Sequence, residues 1–337
     1  MTTPPTPHTP LLDIILPVYN TERYLDQCIQ SIVNQEFYDW HLIIIDDGST
    51  DASPEICDSW AKSDKRITVI HKANSGQADS RNVGIDLCTA EYVGFVDSDD
   101  RIEPNMYSFL LQTIKENDAD IAVCNHYSYT TTGSKCKHPN YNIEVLNHDQ
   151  ATELIIQNRL QSYIWQMVFK RSCLNYHMPE HICFEDHAVL PHWFEKARRV
   201  VIAMRPLYHY RMRRSSVFHS VNPQHEFAFL EAEKQRFKYY RNTKFKYLAS
   251  IYITTRAIRV AKHIARMKTD RKVIAEYMER IKTVLGKHAP GYVDKLKFKD
   301  KLLYRLLMLN TSLFINYIKA EKLLKINKKA EDRNYFD

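Results

Sequence analysis

Three carboxylates in four positions, Asp97, Asp99 and Asp100 around Ser98, directly follow the apolar run Tyr92–Val96. Two carboxylates spaced as Asp97-x-Asp99, on backbone leaving a strand, can both point at one divalent cation. Mg²⁺ or Mn²⁺ takes oxygen ligands, commonly one or two carboxylates completed by substrate phosphates. Such an ion neutralises charge developing on a leaving diphosphate. An isolated D-x-D serves equally well as a solvated turn capping the next helix. Here a second acidic pair, Asp46-Asp47, ends another apolar run, His41–Ile45, and two acidic strand ends favour the metal.

Those runs belong to a repeating pattern. Leu11–Leu16 is a strand-like stretch ended by Pro17, and Leu25, Cys28, Ile29, Ile32 and Val33 recur at helical spacing within Glu22–Gln35. Ser53-Pro54 supplies an N-cap and a first-turn proline for a helix to about Ser63. Ile67–Ile70, Tyr92–Val96 and Ile121–Cys124 read as further strands, with helices over Gln77–Cys88 and from Pro104. Strands alternating with helices predict an α/β fold, a mostly parallel sheet covered on both faces. Ligands of such sheets sit beyond the carboxyl ends of the strands. The two acidic strand ends, 50 residues apart, are therefore expected to meet in one crevice.

Composition removes several alternatives. The seven glycines are too sparse for G-x-G, which a dinucleotide fingerprint requires, and Ile281 stands where a P-loop ending in Gly286-Lys287 needs glycine. Seven widely spaced cysteines without C-x-x-C argue against a zinc site or disulfide framework and for a reducing compartment.

Four segments carry a family resemblance: Pro17-Val18-Tyr19-Asn20; Asp46-Asp47-Gly48-Ser49-Thr50-Asp51; Asn74-Ser75-Gly76 with Arg81-Asn82-Val83-Gly84; and Asp97-Ser98-Asp99-Asp100. In this order and spacing the chain resembles a family 2 glycosyltransferase with the GT-A nucleotide-sugar-binding fold, strongly over 11–125 and more thinly to about 220. The resemblance implies an inverting transfer of a hexose or N-acetylhexosamine from a UDP-sugar to a saccharide hydroxyl, aided by Mn²⁺ or Mg²⁺. It implies Asp47 on the uracil imide, with Pro17, Val18 and Tyr19 lining the base. Glu22, Arg81, Asp97 and Ser98 join the donor site, and Asp99, then Asp97, ligate the metal. Arg81 neutralises phosphate or holds the acidic loop.

Family enzymes place the base in a Glu-Asp pair opening a helix. Phe184-Glu185-Asp186-His187 matches it, with Phe184 where family members often have glycine. Asp186 is then the catalytic base and Glu185 an acceptor contact. The stretch Ile164–Arg171 resembles the family's aromatic segment, with Trp165 facing the acceptor or packing in the core. Tyr208-His209-Tyr210-Arg211-Met212-Arg213-Arg214-Ser215-Ser216 resembles its closing segment, with Arg211 on the diphosphate and His209 on the metal.

Two other readings compete. One is a catalytically silent saccharide- or lipid-binding protein on the same fold. The other is a phosphatase of the haloacid dehalogenase type, whose D-x-D motif continues with Thr or Val where this chain has Arg101.

Residues 221–337 hold 27 Lys/Arg against 12 Asp/Glu, a net of +15, which leaves residues 1–220 at −8. The expected domains are a disordered leader (1–10), a catalytic domain (11–220) and a basic, mainly helical region (221–337). No nucleic-acid motif occurs and the cations spread along helices. An apolar stripe from Leu302 to Ile318, flanked by lysines, fits contact with anionic lipid or packing on the catalytic domain. The uncharged run Leu306–Ile318 is too short to span a bilayer, and the N-terminus does not read as a signal peptide. The expected location is the cytosol, or the cytosolic face of the inner membrane. The expected setting is surface polysaccharide or lipopolysaccharide synthesis, with a lipid-linked saccharide among the acceptors.

Overall fold

The structure is a computed structural model that describes residues 9–130, 133–136, 142–212 and 222–328, with side chains to Lys322. Most of the expected leader, the segment Arg213-Arg214-Ser215-Ser216 and the proposed boundary at residue 220 lie outside the described residues. The chain divides into two units, Met1–His181 with Glu185–Ser215, and Ile182–Phe184 with Ser216–Asp337.

In the first unit β1 (Leu12–Val18), β2 (Trp40–Asp46), β3 (Ile67–His71) and β4 (Tyr92–Phe95) alternate with α1 (Glu22–Val33), α2 (Ser53–Ser63) and α3 (Gln77–Leu87). The strands are parallel in the order β3-β2-β1-β4. The pleat of β1 explains its continuous apolar run. Leu12, Ile14, Leu16 and Val18 enter one core with Leu25, Cys28 and Ile32 of α1, while Ile15 enters the opposite core with Ala78 and Ile85 of α3.

Pro17 does not end β1, contrary to expectation. It pairs with Ile45 of β2, and on its other side β4 has already stopped at the level of Ile15, so no ladder bond needs the missing N–H. Ser53 is not the cap of α2 either. Its hydroxyl accepts from the Thr21 N–H at 3.0 Å, tying the start of α2 to the start of α1.

The remaining elements of this unit are β5 (Arg101–Ile102), α4 (Met106–Glu116), β6 (Ile121–Thr130), β7 (Gly133–Cys136), β8 (Ile143–Asn147), α5 (His148–Ile156), β9 (Met167–Lys170), α6 (Glu185–Glu195) and β10 (Arg199–Arg211). They extend the sheet in the order β4-β9-β6-β10-β5, with β7 on β6 and β8 on β10. β9 runs antiparallel to both β4 and β6, so the sheet is mixed rather than mostly parallel. Periodicity missed five of these strands for identifiable reasons. β7 and β8 are mostly exposed and carry no apolar run. β5 and β9 are two and four residues long. In β10, Arg205-Pro206 interrupts the pattern and the ladder absorbs it through register shifts on either side of Pro206.

The second unit contains α7 (Pro223–Tyr240), α8 (Lys246–Ala265), α9 (Arg271–His288), α10 (Phe298–Leu309) and α11 (Thr311–Lys328). Ile253, Ala257, Ile264, Met278, Ile281, Leu303, Leu307 and Phe314 are among the residues of a core of its own. Among the described residues no helix is long and apolar enough to cross a membrane.

Candidate active site

Parallel pairing sends β1, β2 and β4 toward one edge of the sheet, so the segments after Val18, Asp46 and Phe95 share a crevice. Asp46 and Asp47, although adjacent, are spent differently. Asp46 is buried and braces its own turn, its Oδ1 accepting from the Ser49 N–H at 3.1 Å and its Oδ2 meeting His71 Nδ1 at 2.9 Å. Asp47 holds the next loop: Oδ1 accepts from the Ser75 N–H at 2.9 Å and from Lys72 Nζ, and Oδ2 from the Gly76 N–H at 2.8 Å. A carboxylate oxygen has two lone pairs, so Oδ2 keeps room for one more donor. Gly48 permits this packing. Its φ is +70°, and a Cβ there would stand 2.9 Å from the Asn74 nitrogen.

The acidic loop is fastened from several sides. The Tyr208 hydroxyl accepts from the Asp97 N–H at 3.1 Å and donates to Asp100 Oδ2 at 2.9 Å. The Arg211 N–H donates to Asp100 Oδ1 and its Nε to the Asp99 carbonyl, both at 2.7 Å. Asp100 is fully buried, and burial together with the charges of Asp99 and Asp97 pushes its carboxyl well above the usual range. Asp100 thus anchors the loop to β10. Ser98 accepts from the Thr21 hydroxyl at 3.1 Å.

Arg81 closes the circuit to the second half of the unit. Only 4% of its side chain is exposed, and its fork donates to Asp97 Oδ1 and to Glu185 Oε1, each at 2.7 Å. Glu185, 104 positions from Arg81 in the chain, is therefore held on the same guanidinium as Asp97. Beside them Asp186 opens α6, its Oδ1 accepting from the His187 N–H at 2.6 Å. Burial and the neighbouring Glu185 push its carboxyl up to about 7, against the opposing pull of Arg81. Phe184, which precedes the pair, has φ +65°, a left-handed conformation that favours glycine. The glycine that the family resemblance associates with this position thus has a backbone reason.

The other expected residues fall as follows. Pro17 and Val18 are buried, and Tyr19 is half exposed at the mouth of β1. Glu22 accepts from the Ala52 N–H at 2.8 Å, an α1–α2 tie. Trp165 is 6% exposed and stacks on Tyr163 at 4.9 Å and Tyr208 at 4.3 Å. Tyr163 is the more open ring, and burial together with the charge of Asp186 pushes its hydroxyl up. Arg211 also donates to Gln27 Oε1 and lies over Tyr24 and Tyr129. His209 is held elsewhere, its Nε2 on Glu103 and its ring stacked on Tyr127. Lys72 and Tyr208 were not among the expected site residues. Lys72 follows a strand end, the same position that flagged Asp46 and Asp97.

Among the described residues no group of three or more His, Cys, Asp and Glu is placed to hold an ion. The donor chemistry nevertheless fits a hard cation. Asp97 and Asp99 offer carboxylate oxygens, and their charge adds to burial in raising Asp100. Such a pair suits Mg²⁺ or Mn²⁺ with phosphate oxygens completing the shell.

A parallel β3-β2-β1-β4 half with acidic strand ends, joined through an antiparallel strand to a mixed half, defines the GT-A class of glycosyltransferase fold. The model for glycosyl transferase family 2 matches residues 13–173. Putative glycosyltransferase EpsH of Bacillus subtilis is 34% identical over 222 residues, 62% of this chain and 63% of that protein, so the match spans less than two thirds of EpsH. Glycosyltransferase GlyG of Streptococcus pneumoniae is 33% identical over 61% of this chain and 72% of its own. The chain belongs to glycosyl transferase family 2. Among solved structures, S. aureus TarS 1–349 in complex with UDP-GlcNAc is similar with a TM-score of 0.73, 16% identity and coverage of 93% of this chain and 91% of that one. The mannosyltransferase PcManGT of Pyrobaculum calidifontis, in complex with GDP-Man and Mn²⁺, gives 0.53 at 14% identity, over 95% and 88%.

Proposed function

We propose that the chain transfers a hexose or N-acetylhexosamine, with inversion, from a UDP-sugar to a saccharide hydroxyl in cell-surface polysaccharide or lipopolysaccharide synthesis. The observation that carries this reading is the Arg81 bridge between Asp97 and Glu185, which seats an elevated carboxyl, Asp186, beside the acidic loop. The relatives' names and the TarS complex with UDP-GlcNAc support the class of donor.

Asp47 Oδ2 accepts from the uracil imide, and Pro17, Val18 and Tyr19 border the base. Asp99 and Asp97 hold Mn²⁺ or Mg²⁺, which when bound offsets charge on the diphosphate. The acceptor hydroxyl attacks C1 opposite the diphosphate and Asp186 takes its proton. The C1–O bond breaks and UDP departs with the electron pair. Tyr163 offers an aromatic face to the acceptor sugar, which Trp165, closed beneath it, does not. His209 has no part in this scheme. Against a phosphoaspartyl route stands Arg101, at the position where the phosphatase motif continues with Thr or Val. Action at the cytosolic face of the inner membrane, on a lipid-linked saccharide, belongs to the same reading.

A panel of UDP-sugars with Mn²⁺ and oligosaccharide acceptors, read out by UDP release, tests it. Release from one donor that rises with acceptor is expected. UDP release from none of them, or full release by Asp186→Asn, overturns it.

A further inference from the structure

Helix α10 carries two apolar faces. Leu303 and Leu307 are buried in the core of the second unit. At 3.6 residues per turn Phe298, Leu302, Arg305 and Leu309 fall within about 60° of one another on the opposite side. Phe298 is 85% exposed and Leu309 80%. On α11, Leu313 and Tyr317 lie outward one turn apart, whereas Phe314 and Ile318 are buried. A helical hairpin that leaves this much apolar surface in water presents an interaction face.

The charges around it select the occupant. Lys295, Lys297, Arg305, Lys319 and Lys322 are exposed and make no ion pair among the described residues. The acids nearby are largely committed: Glu321 holds Arg266 at 3.2 Å, Lys262 at 3.6 Å and Lys299, and Asp294 holds Lys301. Asp300 is the remaining acid between residues 291 and 322. An apolar stripe rimmed by free cations complements an anionic lipid surface, where the rings and leucines enter the headgroup boundary and the lysines meet phosphates.

We infer that the α10–α11 face is a membrane-docking surface for anionic lipid, with Phe298 and Leu309 as its anchors. Docking is independent of the donor chemistry proposed above, and the two are measured separately. The experiment is co-sedimentation of the full chain with vesicles of phosphatidylcholine containing phosphatidylglycerol, and with phosphatidylcholine alone. The wild type is expected to pellet with the anionic vesicles and to be released by raised salt. Phe298→Ser combined with Leu309→Ser is expected to weaken partitioning at least about tenfold. Lys297→Glu combined with Arg305→Glu is expected to abolish the preference for phosphatidylglycerol. All four side chains are exposed, so both variants should keep the wild-type melting temperature and UDP release with soluble acceptors. Wild-type protein that stays in the supernatant, or a serine variant that pellets like wild type, overturns the inference. So does a dimer that the serine variant dissociates while vesicles capture neither form, which assigns the face to a second copy of the chain.

Discussion

Asp186 is where environment matters more than residue type. Its carboxyl, pushed up to about 7, is half protonated near neutrality. A base must be ionised to act, so kcat/KM is expected to rise with pH through about 7 and level off above it, as a pH–rate profile would record. Asp186→Asn is expected to lower kcat by about 10²–10⁴-fold while donor affinity, measured by calorimetry, changes little. The same shift has a stability consequence of definite sign. The folded pKa lies above the unfolded value, so between about pH 4 and 7 the folded state holds a proton that the unfolded chain has lost. Stability therefore falls across that window. Asp186→Asn should melt higher than wild type at pH 8 and close to it at pH 4, a comparison that thermal denaturation makes directly. Asp99→Ala should instead weaken Mn²⁺-dependent donor binding, by at least about tenfold if its carboxylate is a ligand.

At the scale of elements, the site depends on strand ends being pinned to one another. Tyr208 of β10 pins the acidic loop through two hydrogen bonds from one hydroxyl. Tyr208→Phe leaves the Asp97 N–H without its acceptor and Asp100 Oδ2 without the hydroxyl donor, Oδ1 keeping the Arg211 N–H, and should destabilise the protein by about 1–3 kcal/mol and raise the KM for the donor. Both effects are readable, the first in a denaturant melt and the second in steady-state kinetics. Gly84 illustrates how a motif residue can serve packing. A Cβ there would stand 2.6 Å from Ile15 Cγ2, where α3 crosses β1. Gly84→Ala should cost about 1–3 kcal/mol through overpacking, although the residue touches no substrate in the proposed scheme.

At the scale of the molecule, the crevice gathers charge that awaits a partner. Asp97, Asp99 and Asp100 converge against Arg81 and Arg211, and a cation with a diphosphate would complete the balance. UDP and Mn²⁺ together should therefore raise the melting temperature more than either alone, by a shift equivalent to about 2.7 kcal/mol at a hundredfold excess over Kd. Differential scanning fluorimetry with each ligand singly and in combination measures it, and equal shifts for UDP with and without Mn²⁺ would count against metal-assisted donor binding.

What the sequence alone determined is what depends on neighbours along the chain. Continuous apolar runs announced β1 to β4, helical spacing announced α1, and acids at strand ends located the crevice, because buried parallel strands and their carboxyl-end loops are local patterns. Glu185-Asp186 stood out only through the family resemblance, since a first-turn acid is ordinary in itself. Tertiary structure alone decided the contacts between distant segments. Arg81 could be named as a loop clamp or a phosphate ligand, but only folding sets its fork between Asp97 and Glu185. Lys72 was passed over, and Tyr208 was named only within the closing segment without a role of its own, because the site carboxylates they hold, Asp47 and Asp100, lie far from them in the chain. His209, one residue after Tyr208, turned to Glu103 because successive side chains of a strand point to opposite faces, a geometry that composition cannot reveal and strand register enforces.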